Sequence, residues 1–262
     1  MTLEKPILTK ITGKIIEIMI DRPKANAIDL ETSKKMGTIF SDFRDNPDLR
    51  VAILTGNGEK FFCPGWDLKA AAGGDAVDGD YGVGGFGGLQ ELPQMNKPVI
   101  AAINGICCGG GLEIALSCDI ILASTHATFA LPEIRSGTIA DAASIKLPKR
   151  IPYHIAMELL LTGRWVDTEE AHKWGFVNEI VEPGKLLNRA YELANLIASG
   201  PPLVIGAIKQ VVREAEDTNF QDMLNRITKR QVESIDKLYG SADLLEGQLA
   251  FTEKRAPQWK GK

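Results

Sequence analysis

Two glutamates stand where a carboxylate could do acid–base work. Glu113 follows three consecutive glycines, Gly109, Gly110 and Gly111, and lies in the first turn of an apolar run with helical spacing through Leu112, Ala115 and Leu116. Glycines at a helix start let the backbone approach a ligand closely, and the unpaired N–H groups there favour developing negative charge. Glu133 follows a break at Pro132 after the apolar strand ATFAL. Each has an ordinary structural use, Glu113 as a complement to the helix dipole and Glu133 as an exposed turn residue. As a pair they supply a general base and a general acid, provided one is held ionised and the other protonated. Upstream, the stretch GEKFFCPGWDLK over residues 58–69 contains a sharp Pro64-Gly65 turn. A backbone N–H from such a turn would be the second donor of an oxyanion hole. Together these groups suit the enolate of a thioester, whose oxygen becomes an oxyanion as water adds to the neighbouring carbon.

The elements that must position these groups follow from periodicity. Residues 14–20, 50–55, 98–103 and 119–123 read as strands, most of them continuously apolar as buried strands are. Asp29 can cap a helix from about Leu30, with Met36, Ile39, Phe40 and Phe43 as its buried stripe. After residue 150 the pattern is mostly helical, with helices expected at 153–162, 168–174, 185–199, 203–215, 218–238 and 242–254 and one strand at 176–181. Strand, helix, strand in the first half implies an α/β core with crossover connections over residues 1–200. Residues 201–262 have too little β character to extend that sheet. They are expected to cover the core or a neighbouring subunit.

Residues 73–88 are rich in Gly and Asp, with Ala76, Val77, Tyr81, Val83 and Phe86 left to pack, and read as a mobile loop near a ligand. Gly82, Gly84 and Gly87 have the spacing of a dinucleotide fingerprint, but no apolar strand precedes them, which excludes that reading.

A net charge of −4 leaves no basic excess for nucleic acid. Cys63, Cys107, Cys108 and Cys118 lack framework spacing and read as reduced thiols. His126, His154 and His172 show no metal-ligand spacing, so no metal is expected. No signal peptide and no apolar run of membrane-spanning length is read, and the expected location is the cytoplasm.

Trp66-Asp67-Leu68 after Gly65, Asn104-Gly105 followed by the glycine triplet and Glu113, and Pro132-Glu133 resemble the crotonase (enoyl-CoA hydratase/isomerase) superfamily. The similarity runs from DRPKANAID through LLLTGRWVDTEEAHKWGFVNEIV to AFTEKR near the end. The resemblance implies a spiral of ββα repeats with a C-terminal helical region, assembled as trimers or dimers of trimers. It places the oxyanion-hole donors on the N–H groups of Trp66 and Gly110 and the hydratase glutamates on Glu113, the base for hydration, and Glu133, the acid at the α-carbon. Coenzyme A contacts fall on Lys24, Ala25, Ala27, Ile28, Lys60 and Lys69, and a C-terminal aromatic and lysine, Phe251 and Lys254, reach a neighbouring subunit's coenzyme A. Coenzyme A enters as part of an acyl thioester substrate, with no separate cofactor, nucleic acid or membrane partner.

GWDLKAAA, the glycine-rich GDYGVGGFGGL and the ending LAFTEKRAPQWKGK are similar to the family's carnitine branch. Its acyl groups carry a trimethylammonium, which aromatic faces and carboxylates hold. Trp66, Tyr81, Phe86 and Asp141 would line that acyl pocket. One departure stands out. Where the family has a proline-containing turn, a glycine pair and an arginine, this chain has a shorter loop at 138–146 with Ala140, Ala143, Ser144 and Lys146. That loop is expected to alter the surroundings of Glu133. Two other readings are a general short-chain enoyl-CoA hydratase or isomerase, and a non-catalytic acyl-CoA binder of the same fold.

Overall fold

The structure, a computed structural model, describes residues 6–74, 76 and 79–262; Val77 of the glycine-rich stretch lies outside the described residues. The chain enters through a hairpin in which β1 (Ile7–Thr12) runs antiparallel to β2 (Ile15–Ile20). The two-residue turn needs positive φ, and Gly13 supplies it at +58°. β1 is an edge strand exposed along most of its length, which is why its sequence carries no clear apolar signal. Helix α1 (Leu30–Asp45) follows, with the Asp29 carboxylate accepting from Thr32 N at 2.8 Å as the expected cap. Its stripe of Met36, Phe40 and Phe43 is fully buried.

Three ββα units come next: β3 (Val51–Gly56), β4 (Phe61–Cys63) and α2 (Leu68–Ala72); β5 (Val99–Ile103), β6 (Ile106–Cys108) and α3 (Gly110–Ala115); β7 (Ile120–Ser124), β8 (Thr128–Ala130) and α4 (Glu133–Ser136). The first strand of every unit joins a six-stranded sheet and the second a four-stranded sheet. Each unit therefore advances both sheets by one parallel strand, β3-β5-β7 in one and β4-β6-β8 in the other. The result is a spiral of repeats. Asn104 joins successive units, its Nδ2 donating to Gly58 O at 2.6 Å while its Oδ1 accepts from Gly56 N at 3.1 Å.

Helix α5 (Asp141–Arg150) occupies most of the segment expected to be a loop at 138–146. Pro148 suggests a break, but it falls in the last turn, where the helix loses only the bond its imide cannot donate. α6 (Tyr153–Thr162), β9 (Val166–Asp167), α7 (Thr168–Trp174), β10 (Glu179–Val181) and α8 (Leu186–Ala198) follow. β9 adds to the small sheet beside β8, and β10 to the large sheet beside β7.

From Gly79 onward the glycine-rich stretch is packed rather than open. Gly88, at φ +72°, lies so close to α1 that a Cβ there would sit 2.2 Å from Gly37 N. Ser33, fully buried on α1, donates to Gly85 O and accepts from Gly87 N, both at 3.0 Å.

The chain divides into two compact units. One runs to Pro93 and resumes over Val99–Ala194; the other comprises Gln94–Pro98 and Asn195–Lys262. The division falls a few residues before the boundary expected at 200. In the second unit Lys209 Nζ donates to Lys97 O at 2.9 Å and Arg213 to Asn96 Oδ1 at 2.8 Å, which ties the 94–98 segment to α9 (Pro202–Glu214). The single helix expected at 218–238 is two, α10 (Phe220–Thr228) and α11 (Glu233–Tyr239). They are separated where Arg230 takes φ +55°, a break without glycine to announce it. Helix α12 (Ala242–Thr252) completes the unit, capped by Ser241.

Candidate active site

Trp66, Gly110 and Glu133 occupy corresponding places in the three repeats. Each stands two or three residues past the end of β4, β6 or β8, adjacent parallel strands of the small sheet. Neighbouring strands lie about 4.8 Å apart, so the sheet gathers groups far apart in sequence at one end. The turn after β4 is tied to the turn after β6. Gly65 has φ +93°, and a Cβ on it would lie 2.6 Å from Gly110 N and 3.2 Å from Cys108 O. Gly111 approaches β4 as closely, since its Cβ would meet Cys63 O at 2.0 Å.

The Trp66 turn is held from its other side. Ile28 N donates to Gly65 O at 2.8 Å and Asp67 N donates to Ile28 O at 2.9 Å, a one-residue parallel bridge. In that pattern the N–H of residue 66 faces away from Ile28. Gly110 N–H, at the first position of α3, is one of the donors a helix cannot pair internally. The two expected oxyanion donors therefore belong to abutting turns, with glycine at each point of closest approach.

Glu113 is only 8 % exposed and caps another helix. The N-cap of α5 is Ala140, whose methyl cannot accept a hydrogen bond; the Glu113 Oε1 instead accepts from Ala143 N at 2.9 Å. Burial raises the Glu113 carboxyl above its ordinary range, while the N–H donors of Ala143 and Ala142 pull it back. The donor is the backbone N–H of Ala143, independent of its side chain. Glu133 differs. Its Oε2 is buried with no partner among the described residues. Burial, reinforced by the charges of Glu113 and Asp141, pushes its carboxyl up to about 7. Its Oε1 faces Gly109, where a Cβ would stand 3.1 Å away. Burial raises both carboxyls, Glu133 to about 7, and the two backbone N–H donors on Glu113 oppose the rise there, a difference that suits Glu113 to the base role and Glu133 to the acid role.

Trp66, Tyr81 and Phe86 form one aromatic corner. Ring centroids are 5.5 Å apart for Trp66–Tyr81 and for Tyr81–Phe86, both edge-to-face, and 6.3 Å for Trp66–Phe86. Phe86 sits against the glycine turn, so a Cβ on Gly110 would lie 2.3 Å from its ring. Asp141 is exposed at the start of α5, where its charge bears on both glutamates.

Lys24 and Lys60 line a polar cleft of about 290 Å³ with Arg22, Asn26 and Asn57. Ala25 and Ala27 are half-buried nearby in sequence; Ile28 is fully buried, with its N–H and C=O already engaged by the Trp66 turn. Lys69 is exposed on α2 and is not among the cleft's lining residues. Phe251 and Lys254 belong to the second unit. There Phe251, 87 % exposed, borders an apolar groove of about 410 Å³ with Leu244 and Trp259, and Lys254 follows α12 at φ +52°.

Several positioning groups escape motif reading. Arg22 reaches Asp29, Asp67 (3.1 Å) and the Ala27 carbonyl, clamping residues 22–29 to the Trp66 turn. Asn26, at φ +60°, donates to Asn57 O and Phe61 O at 3.0 and 2.9 Å. The run DRPKANAID shows only that polar residues crowd a strand end. The four cysteines are buried, and burial pushes the Cys63 and Cys108 thiols up to about 12 and about 11, far from nucleophilic range.

A spiral of ββα repeats whose small sheet gathers Trp66, Gly110 and Glu133 at one end is the fold of the crotonase class of enzymes. Residues 10–262 match the family described as enoyl-CoA hydratase/isomerase, and the chain belongs to it. It is 49 % identical over 251 residues to a carnitinyl-CoA dehydratase of Proteus mirabilis, covering 95 % of this chain and 96 % of that protein. It is 50 % identical over 250 residues to one from Salmonella arizonae, with the same coverage. Among solved structures it is similar to an enoyl-CoA hydratase from Mycobacterium marinum, with a TM-score of 0.90 at 37 % identity over 99 % of this chain and all of that one. An enoyl-CoA hydratase from Mycobacterium tuberculosis is similar at 0.90 and 38 %, with the same coverage.

Proposed function

We propose that this enzyme reversibly adds water to an α,β-unsaturated acyl-CoA, and that its substrate pair is crotonobetainyl-CoA and L-carnitinyl-CoA. The observation that carries the chemistry is the unequal pair of carboxyls, buried Glu113 held by Ala143 N–H and half-buried Glu133 with an Oε2 that has no partner among the described residues. In hydration Glu113 takes a proton from water as its oxygen bonds to the β-carbon. The displaced electron pair moves to the thioester oxygen, which the N–H groups of Trp66 and Gly110 stabilise. Glu133 then gives its proton to the α-carbon. Dehydration runs the same steps backwards, with Glu133 as base and Glu113 returning the proton to the departing hydroxide.

The acyl assignment is supported by the carnitinyl-CoA dehydratases at 48–50 % identity and by the aromatic corner beside the glycine turn. A trimethylammonium donates no hydrogen bond, so the faces of Trp66, Tyr81 and Phe86 with the Asp141 carboxylate are the groups suited to it. Lys24 and Lys60 in their cleft suit the coenzyme A phosphates, with Lys69 and the backbone around Ala25 completing that side, while Ile28 holds the Trp66 turn in place. Phe251 and Lys254 serve the coenzyme A of a neighbouring subunit in a trimer or a dimer of trimers. Coenzyme A arrives with the substrate, no separate cofactor is required, and the enzyme works in the cytoplasm.

The test is hydration of crotonobetainyl-CoA beside crotonyl-CoA, followed as loss of enone ultraviolet absorbance, with wild type and Glu113→Gln. Preference for crotonobetainyl-CoA that disappears with the substitution is expected. Preference for crotonyl-CoA would overturn the acyl assignment, and no turnover of either would overturn the hydratase reading.

A further inference from the structure

Behind Glu113 stands a cation that the reaction itself does not use. Lys146 lies on α5 one turn after Ala143, so the two share a face of the helix. Its Nζ donates to Ser117 Oγ at 2.5 Å, and Ser117 Oγ donates in turn to the Glu113 carbonyl at 2.8 Å. The ammonium is thereby tethered to the C-terminal end of α3, where the helix dipole favours positive charge. Helix α5 therefore grips Glu113 twice, at its carboxylate through Ala143 and at its backbone through Lys146 and Ser117.

The charged groups bearing on the Glu113 carboxylate are Asp141 and Lys146 from α5 and Glu133 from α4. The other elements packed most closely on α3, which are β4, β6 and the turn Phe86–Gly88, are made of apolar residues, glycines and cysteines. Burial most of all, with Asp141 and Glu133, opposes ionisation of Glu113, while the N–H donors of Ala143 and Ala142 and, less strongly, the Lys146 ammonium favour it. Two like-charged neighbours would otherwise leave the base competing with the acid for a proton.

We propose that Lys146 is a positioning residue for this reaction: tethered through Ser117, its ammonium keeps Glu113 in the proton-accepting form while Glu133 holds the proton. The inference rests on Glu113 being the base. It gives the departure at Lys146 a role, since α5 supplies both a donor and a charge to one catalytic carboxylate.

Lys146→Gln keeps a donor for Ser117 and removes the charge; Lys146→Arg keeps the charge. The readout is the pH profile of kcat/KM for crotonobetainyl-CoA hydration. Removing the cation raises the proton affinity of Glu113, so the acidic limb of Lys146→Gln moves up by about 0.5–1 pH unit, a loss of about 3- to 10-fold below the limb, with KM near wild type. Lys146→Arg restores the limb. A limb unmoved in Lys146→Gln, or equally shifted in Lys146→Arg, overturns the proposal. So does a loss of thermal stability in Lys146→Gln with an unchanged profile, which is what a purely structural lysine would give. Glu113→Gln is measured alongside. Its activity would overturn the base assignment itself, whereas an inactive Glu113→Gln with an unmoved Lys146→Gln limb would overturn only the role of Lys146.

Discussion

Gly65→Ala should disable the oxyanion hole without touching either glutamate. Gly65 has φ +93°, and a Cβ built there lies 2.6 Å from Gly110 N. Ordinary contact begins at 3.4 Å, so the Trp66 and Gly110 turns must part by about 0.8 Å. A misplacement of about 1 Å can cost about 100-fold in rate, and loss of one oxyanion donor about 100- to 1,000-fold, or about 2.7–4 kcal/mol. The left-handed backbone adds its own penalty of about 1–2 kcal/mol to stability. Gly175→Ala separates the two effects. Gly175 has nearly the same φ, +91°, ends α7, and a Cβ there would meet nothing within 4 Å. Both variants should lose about the same stability to backbone strain in urea unfolding, with Gly65→Ala losing more by its collision. Only Gly65→Ala should lose kcat, by about 100-fold or more in the enone absorbance assay. If Gly65→Ala turns over within about threefold of Gly175→Ala, the abutting turns do not hold the oxyanion, and the donor assignment to Trp66 and Gly110 is wrong.

Glu133 carries a pH signature in both rate and stability. Its carboxyl titrates near 7 in the folded enzyme against an ordinary value of 4.5, so hydration should fall as pH rises through about 7 and the acid is lost. For stability, a raised carboxyl pKa means the native state keeps a proton that the unfolded chain releases. Its contribution is full below 4.5 and is lost as pH rises through 7. Glu133→Gln should therefore gain thermal stability over wild type at pH 8 and almost none at pH 4.5, while kcat falls about 100- to 10,000-fold. Equal melting shifts at both pH values would contradict the raised titration. In the aromatic corner, Tyr81→Leu should lower kcat/KM for crotonobetainyl-CoA by about 2- to 30-fold relative to crotonyl-CoA, the range of a cation–π contact. An unchanged ratio would remove Tyr81 from trimethylammonium recognition.

Local chemistry makes much of this protein legible in its sequence. The helices at 153–162 and 168–174 fall where expected, because Pro152, Gly163, Asp167 and Gly175 punctuate them with a proline start, two left-handed stops and a side-chain cap. Asp29 caps α1 for the same reason. The glycine triplet before Glu113 and the Pro132-Glu133 break announce two carboxylates at helix starts, since those signals depend only on neighbouring residues. The three-residue strands β4 and β6 carry too few positions to show a period. α5 was hidden because Pro148 argues locally against a helix that its contacts sustain.

What only the tertiary structure decided is which groups meet and in what state. Parallel pairing of β4, β6 and β8 brings Trp66, Gly110 and Glu133 to one sheet end, although they are spread over nearly seventy residues of sequence. The contrast between Glu113 and Glu133 arises there too. Both are glutamates opening short helices, and nothing in their neighbours ranks one as base. The ranking comes from Ala143 N–H on one carboxyl and, on the other, from a buried oxygen with no partner among the described residues. Proton affinity is set by burial and by donors that arrive from distant parts of the chain, so it belongs to the folded molecule and not to the motif.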